Sequence, residues 1–207
     1  MGHSVRLVIG RGDAIAAFLR AWPGSRAVDL QGGWQAIPVE DALYDAIAAR
    51  YPHAVRPDAL DFAPPGLDAA LMEATAAGGA LAYVETEYFG GTGGQSAMAY
   101  ADGLAKMEPA RAQWAGPINQ ALRRIGVTPE GETDAFDTIG LGERRQMADY
   151  EPEGPVRLRG GAAADAAVEP AVAPVAGVEK AHVPLWKVAL VIAAMIAIGV
   201  FIAVANP

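Results

Sequence analysis

The sequence predicts an α+β fold, in which one mixed α/β domain with a β-hairpin covers residues 1–150. Strand-like and helix-like patterns follow one another in irregular order up to residue 150, which favours a mixed domain over a regular doubly wound sheet. Residues 151–184 are rich in Pro, Ala and Gly and show no helical or strand period, which predicts a flexible linker. A continuous apolar run then predicts one transmembrane helix over residues 185–205.

Short apolar segments bounded by Gly or Pro mark the elements of the first half of the domain. The strands predicted there cover residues 5–9, 27–30 and 34–39, and the helices cover residues 13–22, 40–50 and 67–77. Gln31-Gly32-Gly33 separates the second and third strands, which predicts a hairpin. Pro23-Gly24 and Gly78-Gly79 end two of the helices.

The second half of the domain contains the strongest strand pattern, ALAYVETEYF at residues 80–89. The five residues 90–94 (GGTGG) predict a flexible turn, and residues 95–101 predict the returning strand of a β-hairpin. Residues 117–125 predict a helix, with Pro117 in its first turn and Gly126 just past its end. Residues 134–150 predict a short helix or a turn-rich closing segment.

Composition excludes several classes of function. Residues 1–150 carry 12 Lys and Arg against 19 Asp and Glu, a net charge of −7. Non-specific nucleic-acid binding depends on basic residues, so we expect no nucleic-acid partner, whereas a basic protein partner suits this charge. The absence of Cys excludes disulfides, thiolate metal sites and Cys nucleophiles. His3, His53 and His182 lie too far apart for a metal-ligand motif, so the sequence predicts no metal site.

The predicted transmembrane helix centres on 18 uncharged residues from Val188 to Ala205. At the rise of an α-helix this run spans about 27 Å, close to the thickness of a hydrocarbon core. Trp186 is placed as an interfacial anchor, and Lys187 can extend towards the headgroups. The run therefore predicts that the lipid bilayer is one partner of this chain.

The flanks of the apolar run predict its orientation. Lys180, His182 and Lys187 precede it, whereas Asn206 and Pro207 follow it. The positive-inside rule then places the N-terminal domain in the cytoplasm, as a tail-anchored protein of the cell inner membrane.

Alanine recurs every four residues within the run, at Ala189, Ala193 and Ala197. This spacing allows close packing of two helices and hence a homo-oligomer. Chance in an alanine-rich segment is the alternative explanation.

The most distinctive polar feature is the segment Glu85-Thr86-Glu87-Tyr88-Phe89. In a strand, Glu85 and Glu87 point to the same face, about 6.6 Å apart along the strand axis. Three interpretations remain open: an exposed acidic strand edge, a carboxylate pair for acid–base chemistry or cation binding, and a recognition surface for a protein. The recognition surface would include Tyr88, Phe89 and the glycines that follow.

Gly90, Gly91, Gly93 and Gly94 form a glycine-rich segment that can expose backbone N–H groups to an anion. The segment lacks the Lys-Ser/Thr of a P-loop, so a hairpin turn, or a loop that a partner approaches closely, is favoured over a nucleotide site. No serine lies in a GxSxG motif. The sequence therefore predicts no cofactor and no catalytic residue.

Three blocks carry a family resemblance: VETEYFGGTGGQSAMAY at residues 84–100, GPINQALRRIGV at 116–127 and DAFDTIGLGERR at 134–145. Their order resembles a family of small uncharacterised bacterial proteins associated with the immunity proteins of contact-dependent and polymorphic toxin systems. The resemblance covers roughly the second half of the domain and implies a toxin-binding role without catalytic residues. The tail anchor departs from the soluble pattern of such proteins.

The leading hypothesis is a tail-anchored binding module that presents an acidic cytoplasmic domain to a protein partner. A membrane-proximal enzyme that uses the paired carboxylates is the first alternative. A structural scaffold that assembles through its transmembrane helix is the second.

Overall fold

The computed structural model describes residues 2–114 and 116–151. The strands are His3–Gly10 (β1), Val28–Asp29 (β2), Gln35–Pro38 (β3), Ala80–Phe89 (β4), Thr92–Ala101 (β5) and Leu104–Ala112 (β6). The α-helices are Gly12–Ala21 (α1), Asp41–Arg50 (α2), Leu67–Thr75 (α3), Pro117–Arg124 (α4) and Ala135–Thr138 (α5). Short 3-10 turns lie at Gln31–Gly33, Leu141–Glu143 and Met147–Tyr150.

The predicted transmembrane helix lies outside the described residues, together with all of the predicted linker except Glu151. This applies to Val188, Ala189, Ala193, Ala197 and Ala205. Within residues 2–114 and 116–151, no helix combines the length and the apolar character that crossing a bilayer requires.

All the described strands belong to one antiparallel sheet with the order β2-β3-β1-β4-β5-β6. Side chains alternate along each strand, so β4 sends Leu81 and Tyr83 to one face and Ala82 and Val84 to the other. The first face packs against α1, α2 and α3, and the second packs against α4 and α5. The expectation of a mixed α/β domain with a β-hairpin is confirmed.

Most predicted elements of the first half match the structure within two residues at each end. The hairpin of β2 and β3 turns through Gln31–Gly33, as the two adjacent glycines predict. Gly32 and Gly33 both have positive φ, which residues with a Cβ rarely adopt.

The turn of the β4–β5 hairpin is shorter than the sequence predicts. Phe89 pairs with Thr92, so the turn contains just Gly90 and Gly91, both at positive φ as a tight primed turn requires. Thr92, Gly93 and Gly94 belong to β5, and their assignment to a flexible turn is wrong. Glycine is required at position 93 because β5 approaches β4 closely there. A Cβ at Gly93 would collide with the backbone of Glu87 on β4.

The edge strand β6 was not predicted from the sequence. Its sequence LAKMEPARA includes Lys106, Glu108 and Pro109, and it pairs with β5 across two register shifts. Charged residues and Pro are typical of edge strands, because one side of such a strand has no neighbour to pair with.

The closing segment returns to the sheet. Ser4 N–H donates to the Arg145 carbonyl at 2.7 Å, and Ser4 forms a parallel bridge with Gln146. Tyr150, at the end of this segment, is completely buried in the core of the second face. The turn-rich closing segment expected over residues 134–150 is confirmed.

Candidate functional site: the acidic cavity

Glu85 holds a loop against the sheet. One carboxylate oxygen accepts the Asp61 N–H at 2.6 Å, and the other accepts the Phe62 N–H at 3.0 Å and the Tyr83 hydroxyl at 2.9 Å. The side chain is 2% exposed. A buried carboxylate needs such partners, because leaving it unpaired is costly. Glu85 therefore positions Asp61 and Phe62 beside the middle of β4.

Tyr83 is the innermost of these partners. Burial raises the pKa of its hydroxyl well above the usual value, and the charge of Glu85 and their hydrogen bond raise it further. The phenol therefore keeps its proton and serves as a permanent donor to Glu85.

Glu87 lies on the same face as Glu85, as the strand spacing predicts, but its surroundings differ. Its carboxylate is exposed and accepts a 2.6 Å hydrogen bond from the Ser4 hydroxyl. The interpretation of both residues as an exposed acidic edge is wrong for Glu85, because β4 lies between β1 and β5 and the loop at Asp61 covers it.

A cavity of about 310 Å³ lies beside these two glutamates, and we call it the acidic cavity. Its lining residues come from the loop, β4, β5 and β6: Asp61, Phe62, Glu85, Thr86, Glu87, Gly93, Gly94, Ser96 and Arg111. Three carboxylates and one guanidinium face this space. The cavity therefore favours a cationic group over an anionic one.

Arg111 connects the edge strand to the loop. Its guanidinium forms an ion pair with Asp61, and its Nε donates to the Ala59 carbonyl at 3.2 Å and to the Ser96 hydroxyl at 3.4 Å. This pair neutralises Asp61. A second guanidinium, that of Arg6 on β1, lies 4.4 Å from the centre of the Phe62 ring, so the two glutamates exceed the remaining basic group by one negative charge. Glu87 is the one of the two that solvent reaches.

Two exposed aromatic side chains lie at the same end of the sheet. Phe89 is 83% exposed at the hairpin turn, and alternation along β4 places it on the face of Glu87. Trp114 is 64% exposed and follows the end of β6, where the Gln113 carbonyl accepts the Tyr88 hydroxyl at 2.8 Å. Exposed large aromatic side chains are typical of protein contact surfaces.

The structure divides the residues that the sequence singled out. Glu85, Glu87, Gly93 and Gly94 line the acidic cavity. Phe89, Gly90 and Gly91 form the exposed hairpin turn beside it. Tyr88 points to the opposite face of the sheet and lines a different cavity. The eight predicted residues therefore do not form one surface.

Sequence reasoning missed Asp61, Phe62 and Arg111. The loop residues lie 23 and 24 positions from Glu85, and no local pattern relates them to it. Arg111 was missed because β6 itself was not recognised. A short polar segment between two turns, directly after a confident hairpin, is the signal that would have suggested a third strand.

The hydrogen bonds of Glu85 argue against its use as a general acid or base. Both oxygens of Glu85 already accept hydrogen bonds from the loop, so this carboxylate is committed to structure. Among residues 2–114 and 116–151, no three His, Asp or Glu side chains converge as metal ligands would.

Comparisons with family models, curated proteins and solved structures found no match for this chain.

Proposed function

We propose that the domain is a binding module for a protein partner that inserts a Lys or Arg side chain into the acidic cavity. The observation that carries the proposal is the excess of carboxylates over guanidinium groups at the acidic cavity, with Phe89 exposed on the same face of β4. Aromatic anchors supply contact area, and an opposite charge supplies orientation and association rate.

The charge of the whole domain supports the same kind of partner. A net charge of −7 over residues 1–150 attracts basic proteins over a distance of about one Debye length. The partner therefore meets a favourable long-range field first and a specific cationic site afterwards.

The transmembrane helix that the sequence predicts and the resemblance to immunity proteins give this proposal a setting. A transmembrane helix at residues 185–205 would hold the domain at the cytoplasmic face of the inner membrane, with the linker as a tether of roughly 30 Å. Neutralisation of a basic toxin that arrives at this membrane is the most concrete form of the function.

Site-specific photocrosslinking in cells tests the proposed surface. A benzophenone amino acid replaces Phe89 in the full chain, and the matched control replaces Leu104, which is 61% exposed at the opposite end of the sheet, where β6 begins. We expect a discrete crosslinked protein from position 89 and none from position 104.

The charge of the site provides the second arm of this experiment. Glu87→Gln in the same crosslinking chain should reduce the product severalfold, because it removes the accessible negative charge. A crosslink of equal intensity from both positions, or one that Glu87→Gln leaves unchanged, contradicts the proposal.

A further inference from the structure

A second cavity, of about 270 Å³, lies on the other face of β4, and we call it the aromatic cavity. Among its lining residues are His3, Tyr88, Gln95, Asn119, Asp134 and Phe136, all of them half-buried. They come from β1, β4, β5, α4 and the start of α5. None of these side chains has a part in the acidic cavity.

One wall of the aromatic cavity carries a fixed carboxylate. Asp134 caps α5 by accepting the Asp137 N–H at 2.9 Å, and its other oxygen accepts the Asn119 side-chain amide at 2.7 Å. Asn119 is held in turn, because its own oxygen accepts the Phe136 N–H at 2.9 Å. Each carboxylate oxygen can accept a second hydrogen bond, so Asp134 is positioned with acceptor capacity to spare.

Aromatic rings also line this cavity. The rings of His3 and Phe136 lie 5.5 Å apart at 51°. His3 Nδ1 lies 2.7 Å from the Thr86 hydroxyl, and the Tyr88 hydroxyl accepts the Gln95 amide at 3.4 Å. These contacts fix the three rings around the space that Asp134 borders.

The charge of the aromatic cavity near pH 7 depends on His3 and Asp134. Burial lowers the pKa of His3, so its imidazole is neutral at pH 7. Asp134 then carries the one formal charge among the described residues that line the cavity. A negative carboxylate and the electron-rich faces of aromatic rings attract cations and repel anions.

We propose that the aromatic cavity binds a small organic cation, such as a protonated amine or a quaternary ammonium group. Aromatic rings around a carboxylate are the groups that recognise such cations, and the cavity suits a small molecule more than a peptide segment. Thr86 lines both cavities, but the carboxylate and the rings proposed to hold the cation do not line the acidic cavity. The proposal therefore does not rest on the function proposed above.

Amide NMR of the full chain in a maltoside detergent tests this inference with two probes of similar size. Tetramethylammonium carries the charge, and tert-butanol is neutral. We expect saturable shifts from tetramethylammonium at the amides of Tyr88, Gln95, Asn119 and Phe136, and much smaller shifts from tert-butanol. Equal shifts from both probes, or no saturable shift from the cation, would overturn the proposal.

A pair of matched variants locates the binding. Phe136→Leu removes one aromatic face and should weaken tetramethylammonium binding by about 2- to 30-fold, the range expected for one cation–π contact. Tyr44→Leu removes an aromatic ring from α2, which lines neither cavity, and should leave the affinity unchanged. An equal loss of tetramethylammonium affinity in both variants contradicts binding in the aromatic cavity. If a variant fails to fold, the comparison of the two probes on the wild type still tests the proposal.

Discussion

The two halves of β4 lie in different surroundings. Residues 80–84 alternate apolar side chains between two cores that helices cover on both faces. Residues 85–89 alternate polar and aromatic side chains between two cavities, one on each face. The same strand geometry therefore builds a stable core at one end and two candidate binding sites at the other.

This difference shows how residues 85–89, the polar half of β4, stay ordered without an apolar core. Glu85 is buried and bonded to Asp61, Phe62 and Tyr83, whereas Glu87 is exposed two residues further on. Hydrogen bonds to a buried charged group replace hydrophobic contact as the source of order. Accessible groups such as Glu87 are then available for partners.

Replacing the buried glutamate should give the largest effect on stability. Glu85→Gln puts an NH₂ group opposite backbone donors, so at least one buried N–H loses its acceptor. We expect the free energy of unfolding to fall by about 2–3 kcal/mol. Urea denaturation of the full chain in neutral detergent measures this change.

Glu87→Gln is the matched control for that variant. Its carboxylate is exposed, and the Ser4 hydroxyl can bond to the amide oxygen or to water. We expect a change below about 0.5 kcal/mol. Equal losses in the two variants would show that the two glutamates do not differ as the structure indicates.

Gly93 and Gly94 provide the next comparison, within the polar half of the hairpin. Gly93 has φ +144°, and a Cβ there would meet the Glu87 carbonyl and lie 2.7 Å from the Tyr88 Cα. Gly94 has an ordinary φ and would place its Cβ 3.4 Å from the Ala112 carbonyl. We expect Gly93→Ala to cost about 1–3 kcal/mol.

The control is Gly94→Ala, which should cost distinctly less in the same denaturation experiment. Similar midpoints for the two variants would contradict the close approach of β5 to β4 at Gly93.

Tyr83, where the two halves of β4 meet, predicts an alkaline pH dependence. Its pKa is raised in the folded protein, so above about pH 10 the unfolded chain loses a proton that the folded chain keeps. The free energy of unfolding should therefore fall as the pH rises above 10, with a contribution from Tyr83 of up to about 1.4 kcal/mol per pH unit.

Tyr83→Phe tests this dependence. The variant should be less stable than the wild type at pH 7, because Glu85 loses a donor, but its stability should fall less steeply between pH 10 and 12. Urea denaturation at several pH values gives both slopes, and identical slopes would exclude Tyr83 as their source.

The sequence predicts those elements whose signals are local. Short apolar segments identify β1 and β4, and Pro117 with Gly126 delimits α4 closely. β6 escapes prediction because an edge strand needs little apolar surface, and its Pro109 is itself a strand-breaking signal. The prediction of a five-residue turn at residues 90–94 was wrong. Gly93 is required by the close approach of β5 to β4 and not by the turn itself.

The candidate site was partly predictable. The two-residue period of a strand places Glu85 and Glu87 on one face, and it also separates Tyr88 from them. It does not reveal that Asp61 and Phe62 bury Glu85, because these contacts join distant parts of the chain. Sequence spacing gives the direction of a side chain, and tertiary contacts decide its exposure.

The most direct test of the acidic cavity as a cation site is a titration of the full chain with Nα-acetyl-arginine amide, followed by amide NMR. We predict saturable shifts at Glu87, Gly93, Gly94 and Ser96 that weaken in Glu87→Gln and in high salt, as an accessible carboxylate requires. Shifts that are absent, or that neither Glu87→Gln nor salt alters, would contradict the account.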